Sequence, residues 1–148
     1  TDGLAAFGTV SYLEGTDMTR EGPARGWPSP RSGVADTPVE ALPGIPPLDS
    51  RVGLLLHDPS ESENWGIEAA VRMVSRQNRI AETLDEVETA GFHTIDLRAF
   101  RKFGDSILAT AGVENLADRH YREHLDYRSG LGVFRPWINF YFGTEIRY

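Results

Sequence analysis

The sequence predicts an all-β fold, an antiparallel meander of about six strands. Three observations carry this: alternation of apolar and polar side chains, strand lengths near ten residues, and turns that alternate between long and short. The closing segment, residues 138–148, is the clearest case. Ile138, Phe140, Phe142, Thr144, Ile146 and Tyr148 share one parity; Asn139, Tyr141, Gly143, Glu145 and Arg147 share the other. Successive side chains of a strand point to opposite faces, so one face here is apolar and the other polar. About nine to eleven tilted residues cross a bilayer, and a strand of this length and pattern suits a barrel with lipid outside and a wet lumen inside.

Five further strands are predicted upstream. The first covers about 4–14, with Ala6, Gly8, Val10 and Tyr12 opposite Phe7, Thr9 and Ser11. A polar stretch at 15–49 holds seven of the nine prolines and reads as a long loop. The second strand, about 51–57, turns Val52, Leu54 and Leu56 one way. Turn formers at 58–64 lead into the third strand, about 65–77, where Trp65, Ile67, Ala69, Val71 and Met73 oppose Glu68, Ala70, Arg72 and Arg76. After an acidic loop at about 78–90, the fourth strand covers about 92–100 and is followed by a tight turn at 101–105. The fifth covers about 106–115. A third loop, about 117–136, carries His120, Tyr121, His124 and Tyr127, with Trp137 at its edge.

The three longer loops fall at one end of such a sheet and the two short turns at the other. Outer-membrane barrels sort their connections this way, with short periplasmic turns and long extracellular loops. Glu68, Arg72, Asp96, Arg98, Glu114, Glu145 and Arg147 lie on one predicted face, where a wet lumen accommodates them; a packed soluble core would not. The competing reading is a soluble sheet with a solvated polar face. It needs a cover for the apolar face, and residues 73–91 are the only amphipathic helix candidate.

Composition limits function. The chain of 148 residues carries a net charge of -7, with no compact basic patch, which argues against a nucleic-acid partner. Hydrophobic content is 40%, and no run of apolar residues is long enough for a transmembrane helix; a strand barrel needs none. Cysteine is absent, so disulfides and thiolate metal sites drop out. The opening residues lack the basic start and apolar core of a secretory signal, so the outer-membrane reading expects sequence upstream of Thr1.

Gly112-Val113-Glu114-Asn115-Leu116-Ala117-Asp118, with Tyr121 following, resembles the penultimate strand of TonB-dependent outer-membrane receptors. Leu42-Pro43-Gly44-Ile45-Pro46-Pro47 resembles that family's segment leading into the barrel wall, and Gly91-Phe92 with Ile95-Asp96-Leu97-Arg98 resembles another of its strands. The terminal aromatic is also typical. The motifs keep family order over about 41–148. The resemblance implies the C-terminal part of a 22-stranded barrel in a Gram-negative-type outer membrane, with plug and earlier strands absent from this chain. It implies import of a scarce ligand by the intact parent: a ferric siderophore first, haem or cobalamin next. The partners it implies are outer-membrane lipid, the barrel assembly machinery, the TonB complex through the missing plug, and an iron chelate or similar small molecule. No enzymatic activity and no cofactor are expected. A small oligomerising outer-membrane barrel without transport activity and a soluble β-sheet binding module stand as alternatives.

The expected site residues fall into four groups. Ile138, Phe140, Phe142, Ile146 and Tyr148 face lipid and, by the resemblance, carry the assembly signal. Tyr12, Trp65, Phe92, Phe103 and Trp137 form aromatic belts, because their rings favour the headgroup level. The seven charged residues above face the lumen. Arg25, Trp27, Arg31, Arg79, His120 and Tyr121 are candidates for contact with an anionic ligand. The four-residue spacing of His120 and His124 suits a helical metal pair, but both fall in a predicted loop, and no metal site is expected.

Overall fold

The computed structural model describes residues 2–17, 40–129 and 132–148. It contains a six-stranded antiparallel sheet in the order β1 (Leu4–Ser11), β4 (Asp49–His57), β5 (Trp65–Val74), β6 (Phe92–Phe103), β7 (Ile107–Glu114) and β8 (Asn139–Ile146). Two short strands, β2 (Thr16–Asp17) and β3 (Glu40–Ala41), pair with each other inside the first long connection. The remaining elements are 3-10 turns at Glu82–Leu84 and His124–Ser129. Residues 73–91 therefore supply no amphipathic helix; their middle forms the first of these turns, and Gln77 makes an isolated bridge to Thr89.

Pairing register shows that alternation is coherent across the sheet. Leu4, Leu56, Ile67, Ala99, Ala111 and Phe142 are successive partners and define one face. The same face carries Val52, Leu54, Val71, Ile95, Leu97, Val113, Phe140 and Ile146. Thr9, Arg51, Arg72 and Thr94 define the other, with Glu68, Asp96, Arg98, Glu114 and Glu145 on it. Sheets bury an apolar face against a second layer. Here Phe142 is 74% exposed, Leu54 54% and Ile67 50%, so no layer of described residues covers the apolar face. Buried apolar side chains are few, and Ile45, Val74, Ala81 and Phe92 gather where the long connections meet the sheet.

Several strand ends differ from the sequence expectation. Strand β6 runs three residues past the expected end, because Arg101, Lys102 and Phe103 pair with Ala109, Leu108 and Ile107. The reversal falls at Gly104, whose φ of 62° suits a residue without Cβ. Strand β1 stops at Ser11 and β5 at Val74, each short of the expected end, and β4 begins at Asp49, two residues early. Strand β8 stops at Ile146, although Arg147 still donates its backbone N–H to Ser106 at 2.8 Å. The turn between β4 and β5 is built on Asp58, whose carboxylate accepts the N–H groups of Ser60 and Asn64 at 3.0 and 3.1 Å. Those bonds hold its pKa below the ordinary value.

Candidate functional site

The polar face is an ionic wall. Arg51 on β4 reaches across β5 to Glu68 at 3.2 Å and to Asp96 on β6 at 3.4 Å. The span is possible because Ala70 lies between, register partner of both Gly53 and Asp96, and neither small residue obstructs the guanidinium. Arg72 is chelated by Asp49 at 2.6 Å and donates to Glu123 of the β7 to β8 connection at 2.6 Å. Asn139 donates to Glu114 at 3.2 Å, and Arg147 to Glu145 at 2.8 Å. Arg98 makes no ion pair among the described residues and borders a depression lined also by Arg51, Glu68, Asp96, Glu114 and Tyr141. Half-exposed pairs of this kind contribute about 0–1 kcal/mol each, so their value is a defined pattern of charge more than stability.

Aromatic rings cover glycines on this face. Phe7, Phe100 and Tyr141 are the direct partners of Gly53, Gly66 and Gly112. A Cβ at each glycine would come within 2.4 or 2.5 Å of its ring. The absent side chain is what lets each ring lie close to the sheet.

The long-loop end is locked by buried polar groups. The Glu86 carboxylate accepts the N–H groups of Gly44 and Ala81 at 2.7 Å each and faces His124 Nε2 at 3.2 Å. Burial raises its pKa, but the two N–H donors and His124 outweigh that and leave it below the ordinary range. His124 Nδ1 pairs with Thr89 Oγ1 at 3.0 Å, and the Gln77 amide donates to the Ile45 carbonyl. Asn115, at φ 54°, closes a second lock: its amide donates to the carbonyls of Arg119 and Pro136 at 2.9 and 3.3 Å and accepts the Arg119 N–H at 2.8 Å. Asp118 accepts the Ile138 N–H at 3.0 Å, which ties the start of β8 to the end of β7.

The seven charged residues expected on one face share the polar parity, Arg147 lying one residue past β8. Ile138, Phe140, Phe142, Ile146 and Tyr148 share the apolar parity, with Ile138 and Tyr148 outside the strand. Tyr12, Trp65, Phe103 and Trp137 lie near strand ends, but Phe92 departs from the belt expectation. It sits on the polar face as partner of Val74, 8% exposed, stacked on Tyr121 at 4.0 Å beneath Arg72. The ligand-contact candidates are also engaged. The Arg79 guanidinium donates to the carbonyls of Leu13 and Pro46 and lies over Tyr12, tying two loops together. His120 stacks on Phe134 at 3.7 Å. Arg25, Trp27 and Arg31 lie outside the described residues. His120 and His124 serve different partners, and no metal-binding group of three acidic or His side chains forms among the described residues. Sequence reading missed Arg51, although it shares the parity of Gly53 and Leu55. It missed Asp49, placed just outside the expected strand, and Glu123, whose partner is 51 residues away.

No family model matches the chain, and no curated protein matches it. Among solved structures it is similar to the copper transporter OprC, with a TM-score of 0.62 and 28% sequence identity. The likeness covers 72% of this chain and 18% of OprC, so the chain spans less than a fifth of that transporter's length. The antiparallel sheet and this likeness together support part of a β-barrel wall.

Proposed function

We propose that this chain is the C-terminal wall of an outer-membrane transporter barrel, in a parent that imports a scarce metal or metal chelate with energy delivered through TonB. The observation that carries the reading is the two-sided sheet: one apolar face is continuous over six strands, and the charged side chains of the strands lie on the other, apart from Arg101 near the end of β6. Lipid covers the apolar face, including Ile138, Phe140, Phe142, Ile146 and Tyr148. Tyr12, Trp65, Phe103 and Trp137 sit at headgroup level. Glu68, Arg72, Asp96, Arg98, Glu114, Glu145 and Arg147 face an aqueous or plug-filled lumen. The β1 and β8 edges are unpaired among the described residues, and unpaired backbone in hydrocarbon costs several kcal/mol per group. The remaining strands of a 22-stranded parent supply their partners. Strand β8, with Ile138 and Tyr148 flanking it, carries the signal read by the barrel assembly machinery.

Two ligand classes compete. The motif resemblance favours a ferric siderophore; the likeness to a protein named as a copper transporter favours copper. Outer-membrane fractionation and heat-modifiable gel mobility of the full-length parent test the barrel. Uptake of labelled ferric siderophores and of cupric ion, with and without TonB, then assigns the ligand. A parent found in the soluble fraction without heat-modifiable mobility overturns the reading.

A further inference from the structure

Glu86 lies in the β5 to β6 connection, yet its carboxylate has partners in all three long connections. Oε1 accepts the N–H of Gly44, in the connection that leads into β4, at 2.7 Å. It also lies 3.2 Å from His124 Nε2, in the β7 to β8 connection. Oε2 accepts the Ala81 N–H of its own connection at 2.7 Å. Further bonds run between the same segments. The Gln77 amide donates to the Ile45 carbonyl, Arg79 donates to the carbonyls of Leu13 and Pro46, and Thr89 Oγ1 pairs with His124 Nδ1. Connecting segments ordinarily run over the surface with their polar groups in water. Here Gln77 is 1% exposed, His124 3% and Ile45 4%, and none of the three lies in a strand.

A buried polar group that loses its partner keeps the cost of its desolvation. Withdrawal of the first connection strands the Glu86 carboxylate and the Gln77 amide. Withdrawal of the third strands Glu86 again and leaves the His124 ring without either partner. We propose that the three connections form one cooperative unit, with Glu86 as its keystone, so that they open together and a displacement imposed on one is carried to the other two. Whatever binds one connection then acts on all three. The unit owes nothing to the medium over the apolar face, because none of these contacts uses a strand side chain, and it stands or falls apart from the barrel reading.

Native-state amide exchange of the full-length parent tests this without substitution. Gly44 reports the first connection, Gln77 and Thr89 the second, and Arg135, whose N–H donates to the Tyr121 carbonyl at 3.0 Å, the third. In sub-denaturing urea, one unit gives all four amides a single opening free energy and a single urea slope. Separate slopes, or separate free energies, overturn the proposal. A substitution tests transmission. His124→Ala removes a partner of Glu86 from the third connection, and exchange at Gly44, in the first, is expected to rise about tenfold together with Gln77 and Thr89. A rise at Thr89, the direct partner of His124, with Gly44 unchanged overturns the proposal. Mid-strand amides of β5 serve as the control. If they quicken by the same factor, the variant has lost its fold, and the unsubstituted protein decides alone.

Discussion

The ring of Tyr141 occupies the space above Gly112, its direct register partner on the neighbouring strand: a Cβ at position 112 would meet the ring Cζ at 2.4 Å. Phe7 over Gly53 and Phe100 over Gly66 repeat the arrangement on the same face. Each pair fills the hole a glycine leaves in the sheet and shields its backbone from water.

Glycine substitutions therefore differ in cost according to what the new Cβ meets. Gly112→Ala displaces only the far end of a Tyr side chain, and we expect a loss of about 1 kcal/mol, at the low end for overpacking. Gly91→Ala drives its Cβ to 2.7 Å from both the Arg76 nitrogen and the Val74 carbonyl oxygen, backbone that cannot swing away. Its loss is expected near or above about 3 kcal/mol. Urea unfolding of the refolded parent measures both, and a Gly112→Ala loss that exceeds the Gly91→Ala loss contradicts this account.

Asn115 combines a left-handed backbone with three hydrogen bonds from a side chain 4% exposed. Asn115→Gly keeps the backbone freedom and loses the bonds; Asn115→Ala loses both. We expect destabilisation of about 1–3 kcal/mol for the glycine variant, from partners left unsatisfied. A further loss of about 1 kcal/mol is expected for alanine, from strain in the left-handed region. Because Asp118 and the Pro136 carbonyl also lie in this turn, amide exchange at Ile138 should quicken in both variants. Unchanged exchange at Ile138 contradicts the role assigned to the turn.

Glu86 makes the long-loop lock sensitive to acid. Its pKa is lowered in the folded protein, so the folded state binds fewer protons there than the unfolded state. The stability it confers is present in full above the ordinary carboxylate value of 4.5 and is lost as pH falls through the lower folded value. Exchange protection of the Gly44 and Ala81 amides, corrected for intrinsic rates, should hold from neutral pH to about 4.5 and fall below it. In Glu86→Gln the acid-dependent step disappears. A step of the same size in that variant would assign it to another group.

Phe142 and Glu145 lie on opposite faces of β8. Phe142→Asp sets a carboxylate in the hydrocarbon at mid-strand, at a cost on the order of 2 kcal/mol, and should reduce the heat-modifiable, assembled fraction of the parent. Glu145→Gln keeps a polar group in the lumen and should leave that fraction unchanged. Equal assembly of the two variants contradicts the facing assignment.

Much of this arrangement was legible in sequence because a strand has a period of two. Alternation alone separates Leu54, Ile67 and Phe142 from Arg72, Asp96 and Arg98, and antiparallel pairing preserves that separation across six strands. The errors arose where residue type was given precedence over parity. Phe92 looked like a belt aromatic, yet it shares the parity of Thr94 and Asp96, and the face decides its environment. Arg101 and Lys102 looked like turn residues, yet only Gly104 beyond them takes the positive φ a tight reversal uses. The locks were not legible at all. Arg72 meets Glu123 across 51 positions and Gly44 meets Glu86 across 42, and no local pattern encodes contacts at such separation.

The orientation of the sheet is the central claim, and accessibility along β8 tests it most directly. Nitroxide labels placed singly at positions 139 to 146 of the full-length parent in bilayers report collisions with oxygen, which concentrates in lipid, and with a water-soluble nickel chelate. The account predicts a period of two, with oxygen maxima at positions 140, 142 and 146 and nickel maxima at 141, 143 and 145. A profile without alternation, or one with the two sets exchanged, would contradict it.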